Sequence, residues 1–497
     1  MIDSLRVRIQ TGALVVFLLV TACDSNGGAE IELSWASVPD RPWAGPALWT
    51  NRLQDWEVRA ERLQAPVGQP MRTAHILTAR TTPAMGGLEV VVGLGVEGEL
   101  AETAGAGILL GAGGPDLDWR KSALIHHSPG PGGGLFAGID GEGRLFVRDF
   151  SDRNQLLAQS NGWLAKLDSV ELTVRIVPNA GGANLELTAS PSETGAASVT
   201  LQAGPIEGVR LTGGIALVAD APDSEAGTIW FSHLRASGRG FENHADRTLG
   251  PVLGAQHTLS RGVFTLTAQL FPVAGGVDLA DPATAGAVQL DVRSEAGEWY
   301  TLGLSPVVVP GYTASFRVEN WPVERDIGYR LVLLPSDGIT GQEAGSPFEG
   351  QVRADPHDED EIVVAAFTGN HNVAMPGVDR GEFDWSRDVW FPHADIVNAV
   401  RAHDPDLLFF SGDQVYEGAS PTRADFDHPY LDYLYKWYLW MWAFRDLTAE
   451  IPTVTIPDDH DVFHGNVWGA GGRATPSGLT GAAAQDAGGY KLPAAWV

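Results

Sequence analysis

The stretch FFSGDQVYE, residues 409–417, decides the fold of the last third of this chain. Its apolar start is typical of a buried strand in a parallel sheet, and Gly412 permits a sharp turn before Asp413. Two stretches of the same kind stand on either side of it, FTGNHN at 367–372 and TVTIPDDHD at 453–461. Ligands bind at the carboxyl ends of parallel strands. The sequence therefore predicts a ligand site where the three stretches meet.

The polar residues of these stretches are of metal-binding type. They are Asn370, His371, Asp413, Asp459 and His460. Amide and carboxylate oxygens and imidazole nitrogens suit hard or borderline cations, so we expect a metallohydrolase centre in which His460 can protonate a leaving oxygen. One Gly-Asp pair alone is more often a turn or a helix cap. The repetition of ligand-type residues at successive strand ends favours the metal.

The same region alternates between strand and helix patterns, as an α/β sheet requires. Buried parallel strands are predicted at the apolar runs 362–367, 407–410 and 451–456. We expect a helix over about 387–401, with an apolar face at Ile396, Val397 and Val400, and a second helix over 430–447. The tryptophans and tyrosines of the second helix indicate packing in a core rather than a cofactor site.

Composition limits the classes of function. The chain has 497 residues, which suggests about three domains. Its formal net charge of -29 argues against nucleic-acid binding, because neutralising phosphates requires clustered lysine and arginine. A small phosphate substrate is still compatible, since a bound metal can invert the local field. The 60 glycines and 31 prolines indicate many turns and much β-structure.

Two β-rich regions precede the α/β pattern. Alternating apolar and polar residues separated by turns predict a β jelly roll over residues 30–240, of the concanavalin type. Residues 250–352 have the size and strand pattern of an immunoglobulin- or fibronectin-like sandwich. The acidic segment that follows, VRADPHDEDE at 352–361, reads as a linker to a last domain over 361–497.

The first 23 residues have the layout of a bacterial lipoprotein signal. Arg6 and Arg8 precede an apolar run at 13–20, which is shorter than the roughly 20 residues that cross a membrane. LVTAC at 19–23 resembles a lipobox, and the resemblance implies removal of residues 1–22 and acylation of Cys23. We then expect an extracytoplasmic protein held on a lipid bilayer, in the periplasm or at the cell surface. The alternative is an ordinary signal peptide with a chance cysteine.

Two of the three strand-end stretches resemble the metallophosphoesterase domain of PhoD-like alkaline phosphatases. That family carries GD-x-x-Y-E after its second strand, matched by GDQVYE, and DDH-E/D after its third, matched by DDHD. A sandwich module commonly precedes its catalytic domain, as residues 250–352 do here. The resemblance covers roughly residues 250–497 and implies a phosphomonoesterase or phosphodiesterase with a di- or multinuclear metal site. The expected fold is multidomain: jelly roll, sandwich, and a partial α/β metallophosphoesterase sheet.

The resemblance also implies roles for single residues. Asp413 matches the aspartate that bridges two metals, and Asp459 matches a further ligand. His460 matches the histidine that stabilises the transition state. Tyr416 matches a tyrosine that ligates iron in some members.

The chain departs from the family in two places. A cysteine ligand often follows the first strand of the family, and here Asn370 and His371 stand at that place. Ca²⁺, Zn²⁺ and Fe³⁺ all stay open as the metal. The chain stops at Val497, before the later histidine motifs that supply the remaining ligands. We therefore expect residues 361–497 to be the N-terminal half of such a domain, and this chain alone to bind metal poorly and to be inactive.

Two alternatives from other classes stay open. The chain could be a surface-anchored carbohydrate-binding or adhesion protein, in which the jelly roll binds a glycan and the last domain is a remnant. It could also be a scavenger of Ca²⁺ or phosphate. Glycan binding without phosphatase activity would favour the first, and calorimetry would distinguish the second from an enzyme.

Overall fold

The computed structural model describes residues 29–66, 68–193, 197–222, 227–274, 285–334, 346–465, 473–479 and 481–491. The predicted signal peptide and Cys23 lie outside these residues. Within them, no helix has the length and apolar character needed to cross a membrane.

The N-terminal part is a β-sandwich, which we call the N-terminal sandwich. Its strands are β1 Ala29–Ser34, β2 Leu48–Asn51, β3 Glu57–Arg59, β4 Arg62–Ala65, β5 Arg72–Thr81, β6 Leu88–Glu97, β7 Gly105–Ala112, β8 Leu135–Asp140, β9 Leu145–Asp149, β10 Gln155–Gln159, β11 Val170–Asn179, β12 Gly182–Pro191, β13 Val199–Ile206, β14 Gly213–Asp220, β15 Thr228–Gly238 and β16 Phe241–Asn243. The first sheet has the order β13-β12-β11-β6-β15-β4-β3, with β1 on β15. The second has the order β10-β9-β8-β7-β14-β5-β16, with β2 on β5. The predicted antiparallel β-sandwich is thus confirmed.

The central strands of the second sheet are buried on both faces. Every residue of β7 is buried, and so are all six residues of β8. Ile108 and Leu110 pack in the core between the two sheets. Their neighbour Leu109 and the rings of Phe136 and Phe146 belong to a second core, shared with the rest of the chain. The outer face of the second sheet is therefore covered by the C-terminal half of the molecule.

A smaller sandwich, the middle sandwich, follows. Its strands are β17 Val252–Ser260, β18 Val263–Leu270, β19 Ala287–Arg293, β20 Trp299–Pro306, β21 Thr313–Val318, β22 Ile327–Leu334 and β23 Phe348–Val352. They form a three-stranded sheet of order β17-β18-β21 and a four-stranded sheet of order β20-β19-β22-β23, both antiparallel. The predicted boundary near residue 352 coincides with the end of β23.

The last part contains a parallel sheet of order β24-β25-β26, formed by Val364–Phe367, Leu407–Phe410 and Thr453–Thr455. Parallel pairing of the three predicted strands is confirmed. The helices are α1 Trp119–Ser122, α2 Ala394–Ala402, α3 Pro429–Thr448 and α4 Gly481–Ala487. α2 and α3 lie in the segments that connect the parallel strands, whereas α1 belongs to the N-terminal sandwich.

Three details of the predicted α/β region were wrong. Helix α2 begins at Ala394 rather than near 387, because Pro392 disfavours a helical conformation at the residue before it. Ile396, expected on the apolar face of this helix, is 43% exposed, while Val397 and Val400 pack against the core. Strand β24 is not fully buried either, because it is an edge strand, and Val364 is half exposed.

Helix α3 contacts all three parts of the chain. The Trp442 ring centroid lies 4.6 Å from that of Trp49 in the N-terminal sandwich, and Trp440 lies 4.8 Å from Phe410 in the parallel sheet. The Tyr438 hydroxyl donates a 2.7 Å hydrogen bond to the last carbonyl of β18, in the middle sandwich. Most side chains of this helix are buried. Its aromatic residues pack in a core, as predicted.

Candidate metal centre

The parallel sheet brings three of the predicted residues together. Asp413 lies in the loop after β25, and Asp459 and His460 lie in the loop after β26. Each offers one ligand atom, and these atoms lie within 4.8 Å of one another. We call these three residues the acid–histidine group. Among the described residues it is the set of carboxylates and histidines whose spacing could hold a metal ion.

The turn after β25 requires its glycine. Gly412 has φ +112°, and a Cβ atom at this position would lie 2.4 Å from the Cβ atom of Asp458. Asp413 itself adopts a left-handed φ of 54°, which aspartate tolerates better than most residues. The two loops therefore approach each other closely because residue 412 has no side chain. This approach places Asp413 next to the DDHD stretch.

Asp461 joins the two loops through its carboxylate. It accepts hydrogen bonds from the backbone N–H groups of Asp413 at 2.7 Å, Val415 at 2.9 Å and Asp458 at 2.9 Å. Burial, together with the nearby charge of Asp413, raises the pKa of Asp461 to about 6 against the opposing effect of these bonds. Asp461 is the last residue of the DDHD stretch, and its role in joining the two loops was not predicted from the sequence.

His460 is held by a glutamate that sequence reasoning did not assign. The ring nitrogen Nδ1 of His460 donates to Oε2 of Glu417 at 2.6 Å. Burial alone would lower the pKa of His460, but its bond to Glu417 and the negative charges around it outweigh burial and raise the pKa. Lys491 pairs with the other oxygen of Glu417. The Y-E ending of GDQVYE was the available signal for this residue.

Asp413 carries a buried oxygen that is free for a ligand. Its Oδ1 atom is buried without a hydrogen-bond partner in the described residues. Burial is the main cause that raises the pKa of Asp413, and the charge of His460 and a hydrogen bond from Tyr416 oppose the rise. A buried, unpartnered carboxylate oxygen is costly unless a cation or a donor satisfies it.

The predicted ligands after β24, Asn370 and His371, lie beside the acid–histidine group. The His371 ring stacks on Tyr416, with centroids 3.7 Å apart and ring planes at 16°. The backbone N–H of Asn370 donates to the carbonyl of Asp413 at 3.2 Å. Nδ2 of Asn370 and Nδ1 of His371 are buried without hydrogen-bond partners in the described residues. Tyr416 therefore contacts both Asp413 and His371. Buried polar atoms without hydrogen-bond partners in the described residues lie on either side of it.

An open cleft of about 830 Å³ leads to this site. His371, Tyr416 and His460 are among the residues that line it. Arg380, Arg423 and Lys491 also line it, and Arg423 and Lys491 are paired with the carboxylates of Asp379 and Glu417. His460 of the acid–histidine group is thus reachable from solvent through the cleft.

Buried hydrogen bonds connect the N-terminal sandwich to the site. Lys436 of α3 is fully buried, and its Nζ donates to Asp432 Oδ2 at 2.6 Å and to the backbone carbonyl of Glu417 at 2.7 Å. Gln54 of the N-terminal sandwich donates to the other oxygen of Asp432 at 3.1 Å. A chain of contacts therefore runs from the first part of the molecule to the residue that holds His460. A buried lysine inside an aromatic helix gave no sign of this role in the sequence.

No protein-family model matches the chain, and no curated protein matches it. Among solved structures it is similar to lectin II from Ulex europaeus, with 8% identity and a TM-score of 0.31, covering 42% of this chain and 98% of that chain. A Lotus tetragonolobus seed lectin gives 11% identity and a TM-score of 0.30 over 42% and 98%. The Ca²⁺-bound exoplasmic/lumenal domain of VIP36 gives 15% and 0.27 over 39% and 84%. Likeness at these TM-scores carries no argument about function.

Proposed function

We propose that this chain carries the metal-binding part of a PhoD-like, metal-dependent phosphoric ester hydrolase. The observation that carries the proposal is the acid–histidine group at the ends of two neighbouring parallel strands, with its ligand atoms within 4.8 Å. The unpartnered Asp413 Oδ1 in that group supports it.

The donor atoms fit a hard or borderline cation. Asp413 and Asp459 supply carboxylate oxygens, and Asn370 would supply its amide oxygen after a 180° rotation of the amide group, which exposes Oδ1 in place of Nδ2. His371 and Tyr416 stand next to these atoms as further donors. Ca²⁺, Zn²⁺ and Fe³⁺ are the candidate ions. When bound, such an ion would polarise a phosphoryl oxygen and lower the pKa of a bound water.

His460 would handle the proton of the leaving group. Its Nδ1 hydrogen is held by Glu417, which leaves Nε2 to face a ligand. Glu417 keeps the ring in place, and its negative charge would stabilise the protonated ring that donates a proton to a leaving oxygen.

Metal titration calorimetry tests the proposal. We expect Zn²⁺ or Ca²⁺ to bind the chain weakly, and D413N and D459N each to weaken that binding at least about tenfold, since each removes a charged ligand. The matched control is D446N, which removes an exposed carboxylate from α3. Equal metal affinity in the original chain and D413N would reject the site.

A second measurement separates a hydrolase from a scavenger of phosphate or Ca²⁺. p-Nitrophenyl phosphate and its bis-ester are incubated with the chain and added metal. Release of p-nitrophenol that needs the metal and disappears in D413N supports a hydrolase, even at a low rate. Binding of inorganic phosphate or Ca²⁺ without any release of p-nitrophenol supports a scavenger.

Two further elements of the proposal concern the N-terminal part. We propose lipid attachment at Cys23 and an extracytoplasmic position on a bacterial membrane, which mass spectrometry of the membrane fraction tests. Glycan binding by the N-terminal sandwich is the second candidate function. The outer face of its second sheet is covered, so a glycan would have to bind elsewhere on it. A glycan array probed with the whole chain tests this candidate.

A further inference from the structure

Three exposed apolar residues line the cleft. Met375 lies in the loop after β24, Phe426 lies in the loop after β25, and Leu479 lies further along the chain than β26. Their exposed fractions are 62%, 51% and 40%. The loops after β24 and β25 also carry His371 and the GDQVYE residues. The lining of the cleft therefore combines polar side chains of the candidate site with three exposed apolar side chains.

Single exposed apolar side chains are normal on a protein surface and need no explanation. Three of them that come from three separate loops and line one cleft are a different matter, because binding pockets combine apolar walls with a few convergent polar groups. Leaving them in water has a cost that a bound apolar group would remove. We call Met375, Phe426 and Leu479 the apolar rim.

We propose that the site acts on phosphate esters whose organic group is a long alkyl chain, with the phosphoryl end at the acid–histidine group and the alkyl chain against the apolar rim. This inference rests on the proposed function and names its substrate class. A volume of about 830 Å³ holds much more than a phosphate group, whereas a small ester such as glycerol phosphate would leave the rim in water.

Binding of non-hydrolysable phosphonates tests the inference without requiring turnover. Dissociation constants of methylphosphonate and octylphosphonate are measured by calorimetry on the whole chain with added Zn²⁺. We expect octylphosphonate to bind at least about tenfold tighter, since several methylene groups leave water at the rim. In the double variant Met375→Ser/Phe426→Ser this ratio should fall close to one. Equal affinity for the two phosphonates would overturn the inference.

Two controls separate the sources of a failure. Trp163→Ser removes an equally exposed apolar residue from the N-terminal sandwich and should leave the ratio unchanged. Octanoate carries a similar chain on another head group, and binding as tight as that of octylphosphonate would overturn the inference in favour of general apolar docking.

Asp413→Asn should weaken the binding of both phosphonates. If it weakens neither, the proposed function fails as well, whereas a lost ratio with D413N still effective defeats only the substrate class.

Discussion

Nδ1 of His460 lies 2.6 Å from Oε2 of Glu417, and this contact joins the loops after two neighbouring parallel strands. Glu417 also lies at the end of the buried contacts that begin in the N-terminal sandwich. The orientation of the one histidine in the acid–histidine group thus depends on a residue that touches no ligand itself. A positioning role of this kind can be measured.

Replacing Glu417 by glutamine should lower the pKa of His460, because the variant removes the carboxylate that accepts the Nδ1 hydrogen and favours the charged ring. Glutamine keeps the size of the side chain but loses the charge that holds the ring and pairs with Lys491. NMR titration of the histidine ring signals measures the change. E450Q, at an exposed glutamate just after α3, is the matched control and should leave the pKa of His460 unchanged. An equal pKa of His460 in E417Q and in the original chain would contradict the positioning role.

Replacing Asp461 by alanine should destabilise the chain by roughly 1–3 kcal/mol for the donors left unsatisfied. The variant leaves three backbone N–H groups without the acceptor that joins the two loops. Urea unfolding monitored by tryptophan fluorescence measures the loss. D427A removes an exposed carboxylate nearby and is expected within about 0.5 kcal/mol of the original. If both variants unfold at the same urea concentration, the three bonds contribute little to folding.

Replacing Lys436 by methionine should cost about 3–5 kcal/mol, because it leaves the carboxylate of Asp432 buried without its cation. The same unfolding measurement applies. R317Q breaks an ion pair with Glu319 in which both side chains are more than half exposed, and its cost should stay below about 1 kcal/mol. Similar losses of unfolding free energy in the two variants would show that the buried pair contributes no more to stability than the exposed pair does.

Acid should destabilise the fold through its buried histidines. Burial lowers the pKa of His75 to about 4, although its Nε2 bonds the carbonyl of Ile125 at 2.8 Å, and it lowers the pKa values of His127 and His257 to about 4 as well. The unfolded chain binds these protons at higher pH than the folded chain does. Stability from these groups is therefore complete above about pH 6.5 and falls as the pH drops towards 4, by up to about 1.4 kcal/mol per pH unit for each histidine.

The unfolding free energy of the chain, measured between pH 7 and pH 4.5, checks this slope. H75Q should show a shallower dependence on pH than the original chain, because one group that takes up a proton on unfolding is gone. A stability that rises as the pH falls through this range would refute the prediction.

The sequence predicted those elements whose pattern is strong and local. The helix expected over 430–447 runs from Pro429 to Thr448, because its residues are almost all good core or helix formers and a proline suits the first helical position. The three parallel strands were predicted from short apolar runs that end in polar residues. Helix α2 was misplaced because its apolar period was given more weight than Pro392.

The contacts between distant parts of the chain could not be predicted in the same way. The Tyr435 hydroxyl donates a 2.7 Å hydrogen bond to Asn51. The sequence around either residue gives no indication of this contact. The strand-end residues were expected to converge because the direction of parallel strands requires it. Which of them lie within ligating distance depends on loop conformations, and there the stacking of His371 on Tyr416 was not foreseen.

The covered outer face of the second sheet decides whether the N-terminal sandwich can exist by itself. Phe136, Phe146 and Val218 on that face share a core with α3. Separated from the helix, they would form an apolar surface of the kind that makes proteins self-associate. We therefore do not expect the sandwich to be transferred to another enzyme by gene fusion. We expect the three parts of this chain to have been inherited together.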